Sequence, residues 1–315
     1  MSLPAVTVCV VTYNQRNFIE TCLRSILDQK AGAKLSVLVG DDGSTDGTSE
    51  IIEALAAQYG KRLRHFRREP NMGAKQNMCD LLLRAEGEFI ARVDGDDYWL
   101  PGKLGRQLDY LAKHPACSAV YANAVTVDEA GTRLGLFNDL GDVRITLPAL
   151  LRRGNALNNS SVLFRATNLP LWANNADQLD YEVHLSQALR GWLGHIGEPL
   201  AAYRVATRGS MVASSNERVR ELYWQAIQSV PRNAVSDDDY ARGLADFLRR
   251  VFFRSLATRD PGLLRTWAAR VYAASPYGAA WTTVLVAANI LRICGKMLAA
   301  RVSLSGQEKN VLYRH

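Results

Sequence analysis

The sequence holds five cysteines, Cys9, Cys22, Cys79, Cys117 and Cys294, and no two of them form a Cys-x-x-Cys pair. An odd, scattered set argues against a disulfide framework and against a zinc site, and fits a reducing compartment. Long apolar runs are also missing. The most apolar late stretch, Ala279 to Leu291, covers 13 residues before Arg292 interrupts it, whereas a bilayer-spanning helix needs about 20. A membrane span is therefore not expected there. No charged leader precedes the strand pattern that begins at Ala5, so the expected location is cytoplasmic. Internal repeats are absent as well.

What is present is ordinary for a folded chain: 315 residues, 48% apolar and 22% charged. That is enough for one large or two ordinary domains and excludes a disordered chain. The net charge of +7 is unevenly placed. Residues 1–215 hold 23 basic and 23 acidic side chains, while residues 216–315 hold 15 and 8. The whole excess sits in the last hundred residues.

From Ala5 to about Ala130, strand-length apolar runs alternate with amphipathic stretches, the pattern of an α/β fold with a mostly parallel sheet flanked by helices, Rossmann-like in kind. Strands are expected at 5–12, 35–41, 63–68, 88–93 and 117–126, and helices at 17–29, 47–59, 72–85 and 101–113. Asp46 and neighbouring hydroxyls suit the start of the second helix, and Pro101 suits a first helical turn. Residues 131–165 are irregular and expected to cross the sheet's mouth. A helix near 178–190 and a hairpin-like segment, Gly194 to Arg204, follow. Beyond about Ser214 only helices are expected, at 216–229, 238–257, 262–273 and 278–301. The boundary is set near Met211–Ser215, giving a domain of residues 1–213 and an all-helical region of residues 214–315.

Two apolar runs end in acids: Leu35-Ser-Val-Leu-Val-Gly-Asp41-Asp42 and Phe89-Ile-Ala-Arg-Val-Asp94-Gly-Asp96-Asp97. With Val10-Val11-Thr12-Tyr13-Asn14, three loops are expected to converge on one sheet edge, where open α/β sheets bind ligands. The structural alternative for each run is a turn with solvated acids. Asp41, nearer its strand, is read as structural. The spacing Asp42-x-Ser44-x-Asp46-Gly47 also matches a calcium loop, but that loop needs a helix before it and here a strand precedes.

Taken together, Val-Thr-Tyr-Asn, Asp-Asp-Gly-Ser-Thr-Asp-Gly-Thr, Asn71-Met-Gly73-x-x-x-Asn77, Gly87-Glu-Phe-Ile-x-x-x-Asp-Gly-Asp-Asp and Tyr203-Arg204-Val205 resemble the family 2 glycosyltransferases of the GT-A fold, over residues 5 to about 212. The resemblance implies sugar transfer from a nucleotide diphosphate with inversion. It implies a donor pocket lined by Thr12, Tyr13, Asn14, Asp42, Asn71, Gly73, Lys75 and Asn77. The carboxylate of Asp42 suits the imide N–H of uracil or thymine, and Lys75 suits diphosphate. It further implies Asp94 near the ribose, Asp96 as ligand of a divalent cation, Mg2+ or Mn2+, and Asp97 at the loop or the acceptor.

Asp180 takes the position of the base, with Asp177 and Glu182 as weaker candidates. A simple helix cap is the rival account of Asp180. The chain departs from the family pattern at Leu179, where a second acid is usual, and at Ala206, where members often carry a histidine. Arg204 and Arg208 are assigned to nucleotide-sugar binding, Arg208 as compensating positive charge for the diphosphate. His184 and His195 are read as helix-face and strand residues, and Asn158 to Ser161 falls on the acceptor side.

The implied partners are a nucleotide-diphosphate sugar, UDP- or dTDP-linked, and a saccharide or lipid-linked acceptor in cell-surface polysaccharide or glycolipid assembly. No nucleic-acid partner is expected. In the tail, Val284, Leu285, Ala288, Leu291, Gly295 and Leu298 recur at helical spacing beside Arg292, Lys296 and Arg301. Such a helix either packs on its own domain or rests on the inner face of a membrane. Two other readings stay open: a non-catalytic nucleotide-sugar-binding module and a metal-dependent phosphotransferase.

Overall fold

Val6, Val8 and Val10 alternate along the first strand with Thr7, Cys9 and Val11, and all six are buried. A strand apolar on both faces belongs in the middle of a sheet covered on two sides, and that is where the computed structural model has it. The structure describes residues 3–173, 178–205, 217–302 and 311–313. The strands are β1 (Ala5–Thr12), β2 (Lys34–Asp41), β3 (Leu63–Arg67), β4 (Phe89–Asp94), β5 (Tyr98–Trp99), β6 (Cys117–Val127), β7 (Arg133–Asn138), β8 (Val143–Ile145), β9 (Leu163–Arg165), β10 (Trp192–Arg204) and β11 (Val311–Tyr313). The helices are α1 (Ile19–Leu27), α2 (Thr48–Tyr59), α3 (Ala74–Leu82), α4 (Lys103–Lys113), α5 (Leu147–Arg153), α6 (Leu169–Ala173), α7 (Asp180–Arg190), α8 (Glu217–Gln228), α9 (Asp237–Thr258), α10 (Pro261–Ala274) and α11 (Gly278–Val302).

The sheet is mixed. β3, β2, β1 and β4 lie side by side and run parallel, as the alternating pattern predicts. The chain leaves β1 toward β2 and β3 on one side and returns with β4 on the other. The strand order therefore reverses beside β1, and the crevice at such a reversal is the ligand site of open α/β sheets. The irregular stretch of 131–165 supplies β9, which inserts antiparallel between β4 and β6. Beyond it the sheet continues through β6, β7 and β11.

Two elements differ from expectation. β11 is a strand paired with β7 inside the region 214–315 that was expected to be all helical, because a short apolar run can finish the sheet edge. The second is β10. Residues 194–204 are no hairpin but part of the single strand β10, parallel to β6 and antiparallel to β5 and β8. Gly197 and Pro199 suggest a turn, yet the register shift around Pro199 absorbs the missing N–H as an irregularity within one strand.

The two faces of the sheet have separate cores. Val8, Val10, Val37, Val39, Ala91 and Val93 pack with α1, α2 and α4. Cys9, Val11, Leu38 and Ile90 face the other core, which runs through Leu81 and Leu82 of α3, Leu150 of α5 and Tyr181 of α7 to Trp224, Phe247, Trp267 and Leu285. The helices after α7 thus share a core with the sheet. The boundary near Met211–Ser215 lies outside the described residues.

Candidate active site at the ends of β1, β2 and β4

Asp41 and Asp42 close β2 with different duties. Asp41 is fully buried and accepts hydrogen bonds from the Ser44 N–H and the Ser49 hydroxyl, with His65 beside it. Burial alone would raise its pKa, but these hydrogen bonds outweigh that and hold it well below the usual carboxylate range. It pins the turn into α2. Asp46 caps the same helix, taking the Thr48 N–H at 3.0 Å. Asp42 is also buried, and its two oxygens accept the N–H groups of Met72 and Gly73, each at 2.8 Å. One carboxylate therefore fixes the loop that opens α3. Asn71 reaches the same Gly73 N–H at 3.1 Å, while Asn77 is buried and donates to the Gly40 carbonyl at 2.7 Å, stitching α3 to β2.

At the end of β1, Thr12 is buried with its hydroxyl on Gln15, and Tyr13 is 49% exposed over the crevice edge. Asn14 has a positive φ of 50 and holds Thr45 through its carbonyl oxygen at 2.8 Å. These contacts tie the β1 loop to the β2 loop. Gly95 ties it to β4: a Cβ there would stand 2.5 Å from Gln15 and 2.9 Å from Thr12. Only glycine allows that approach.

The acids after β4 crowd together. Asp94 is pushed up to about 6, first by burial and then by Asp96 and Asp180, despite Arg92. Asp97 is buried, and burial with Asp96 and Asp94 raises its pKa well above the ordinary carboxylate range. Its Oδ1 accepts the Arg204 N–H at 2.8 Å. Arg204 is placed differently from the expectation of a nucleotide-sugar contact. Its guanidinium is buried, stacked on Phe18 and committed to the carbonyls of Asp96, Asp128 and Glu129. It braces the acidic loop from beneath. Arg208, Asp177 and Ala206 lie outside the described residues.

Asp180 enters from α7, at the first residue of the helix. Burial raises its pKa, but Arg92 and then His184 lower it further, so it is held below the usual value. The Arg92 guanidinium donates to it at 3.0 Å and lies over the Trp172 ring. Two residues before Asp94 on β4, Arg92 points to the same face of the sheet. Lys75 is half-buried and near enough to lower the Asp180 pKa in turn. One turn along α7, His184 is fully buried between Asn155 and Asn159, and burial lowers its pKa to about 4. Glu182 is half-buried further round that helix.

Sequence reading passed over Arg92, read as part of the apolar run of β4. A charge inside that run, in register with Asp94, was the available signal. Ser160, on the acceptor-side stretch, receives the Asp94 N–H at 3.2 Å and fixes that turn against β4. Among the described residues no three His, Cys, Asp or Glu side chains form a cage for a metal. The donor set at Asp94 and Asp96 is nonetheless hard and oxygen-only, with excess negative charge. It fits Mg2+ or Mn2+ held chiefly by phosphate and water rather than by protein alone.

A parallel half-sheet with acids at its reversal point, extended by antiparallel strands and flanked by helices, is the architecture of the GT-A fold. Residues 7–154 match the model of the Glycosyl transferase family 2. The chain is 31% identical over 217 residues to an uncharacterized protein of Mycobacterium tuberculosis, covering 68% of this chain and 62% of that one. The chain therefore spans less than two thirds of the length of the first relatives it matches. It is 28% identical over 240 residues to the putative teichuronic acid biosynthesis glycosyltransferase TuaG of Bacillus subtilis, covering 73% of this chain and 89% of that one. The crystal structure of S. aureus TarS 1-349 in complex with UDP-GlcNAc shares the fold, with a TM-score of 0.66 at 20% identity over 89% of this chain and 83% of that one.

Proposed function

We propose that this chain is an inverting glycosyltransferase that moves a hexose-type sugar from a UDP- or dTDP-sugar to a saccharide or lipid-linked acceptor in cell-surface polysaccharide assembly, working on the cytoplasmic side. The observation that carries this reading is the 3.0 Å hydrogen bond from Arg92 of β4, two residues before Asp94, to Asp180 of α7. It supports reading a candidate base and a candidate ribose ligand, far apart in sequence, as parts of one site. TuaG, by its name, belongs to polysaccharide biosynthesis and TarS was solved with UDP-GlcNAc; both support the same substrate class. The catalytic unit is assigned to residues 1–213, and residues 214–315 buttress it.

In this reading Asp42 meets the pyrimidine imide N–H, Tyr13 borders the base and Asp94 meets the ribose. Asp180 is held ionised because Arg92, His184, Asn159 and Lys75 together outweigh its desolvation. It accepts the proton of the acceptor hydroxyl as that oxygen bonds to the anomeric carbon and the bond to the diphosphate oxygen breaks. Base and leaving group lie on opposite faces of the sugar, so the configuration inverts. Lys75 offers fixed positive charge on the donor side. Asp96, with Asp94 beside it, would hold a divalent cation, which when bound supplies Lewis-acid neutralisation of the departing diphosphate.

The test is donor turnover by the full chain with a panel of UDP- and dTDP-sugars and Mn2+ or Mg2+. Release of nucleoside diphosphate with transfer to an acceptor supports the assignment. Release of inorganic phosphate would make it a phosphatase, and binding without turnover a module.

A further inference from the structure

We propose that one face of α11 lies flat on an anionic lipid surface and holds the chain there as a peripheral protein. Tyr277, Trp281, Val284, Ala288, Leu291, Gly295 and Leu298 recur at alternating spacings of four and three, which draws a single stripe along a helix. All of them are exposed, with Trp281 at 51%, Val284 at 52%, Leu291 at 72% and Leu298 at 62%. The opposite face, with Thr282, Leu285 and Val286, is buried in the helical core where α11 packs on α9 and α10. The stripe is thus surplus to what the fold needs. Large apolar side chains left in a continuous line on the surface mark a contact to be made.

Charge selects the occupant. Residues 261–302 contain Arg265, Arg270, Arg292, Lys296 and Arg301 and no Asp or Glu. Arg270 is taken by Glu221, but Arg265 and Arg292 are exposed, the latter bordering the stripe. Two copies of this face would bring like charges together. An anionic bilayer surface neutralises them, accepts the apolar stripe into its acyl boundary and suits Trp281 at the headgroup level.

The topology decides how the helix lies. Its 18-residue window Gly278–Gly295 is apolar and long enough to cross a bilayer. Yet β11, which follows α11, pairs with β7 at the sheet edge, with Tyr313 against Phe137 at 4.9 Å. Both ends of the helix therefore belong to one folded body. A crossing helix would leave its ends on opposite sides of about 30 Å of hydrocarbon, so α11 rests in the plane of the interface instead.

The experiment is flotation of the full chain with vesicles of phosphatidylcholine alone or mixed with phosphatidylglycerol, at low and high salt, for the parent chain and Leu291→Glu and Val284→Glu. The parent should float with the anionic vesicles and not with the neutral ones, and less so at high salt. Both variants, altered at exposed positions and with unchanged circular dichroism and thermal transition, should lose most of that flotation. No association with anionic vesicles at low salt, or flotation that Leu291→Glu leaves intact, overturns the proposal. So does a solution dimer that Leu291→Glu dissociates in the absence of any vesicle binding. The readout does not involve sugar transfer, so it stands or falls apart from the catalytic assignment.

Discussion

Single side chains carry the sharpest expectations. Asp180→Asn removes the proton acceptor while keeping shape, and transfer should fall by about 100-fold or more while donor affinity, read by calorimetry, stays within a few-fold. Unchanged turnover would exclude Asp180 as base. Arg92 is a positioning residue: it holds the Asp180 carboxylate and lowers its pKa. In Arg92→Met that pKa should rise, so the acidic limb of the kcat profile should move to higher pH, and Arg92→Lys should restore part of the shift. A loss of kcat with no movement of that limb would make Arg92 merely structural. Asp42→Asn tests a different geometry. Both carboxylate oxygens accept backbone N–H groups, and a carboxamide must turn its NH2 toward one of them. The loop before α3 should loosen by about 1–3 kcal/mol, seen as a lower thermal midpoint together with weaker donor binding.

At the scale of elements, the crevice depends on how closely the β1 and β4 loops approach. Gly95→Ala would drive a Cβ into Gln15 and Thr12, so the loops must part. Donor binding should fail, and stability should drop by about 1–3 kcal/mol, the usual cost of overpacking. Gly102→Ala, away from the donor pocket, is the control. There the space is open but φ is +83, so the cost is conformational, about 1–2 kcal/mol. Equal effects on donor binding would show that close approach at Gly95 is not what matters. Most elements were legible in the sequence because their apolar periods are unambiguous: β1, β2, β4 and the helices between them fall close to the expected ranges. Residues 194–204 were not, since Gly197 and Pro199 carry a local turn signal that pairing with β6 overrides. The helix α11, Gly278–Val302, falls on the expected range of 278–301; what the 13-residue apolar count missed is that the window Gly278–Gly295 is apolar enough to cross a bilayer. A lone arginine stops an apolar count but not a helix.

For the molecule as a whole, the buried histidine of α7 couples stability to pH. His184 stays neutral in the folded chain down to about 4 because burial disfavours its charge, whereas in the unfolded chain it takes up a proton below about 6.5. The unfolded state binds more protons across that window, so stability should fall as the pH drops from about 6.5 toward 4, by roughly 3 kcal/mol from this group. Denaturant titrations should show a flatter slope over that window for His184→Gln than for the parent, and identical slopes would remove His184 from the account. By itself the sequence determined the alternation of strand and helix, the acids at the strand ends, the family resemblance and the basic tail, because these follow from period, spacing and charge along a line. Tertiary structure alone decided that Arg92 and Asp180 meet, that Arg204 is buried beneath the acidic loop, and that α11 turns a bare apolar stripe outward. Each of those depends on which segments pack against which, and packing is a property of the surface left over when the cores are filled.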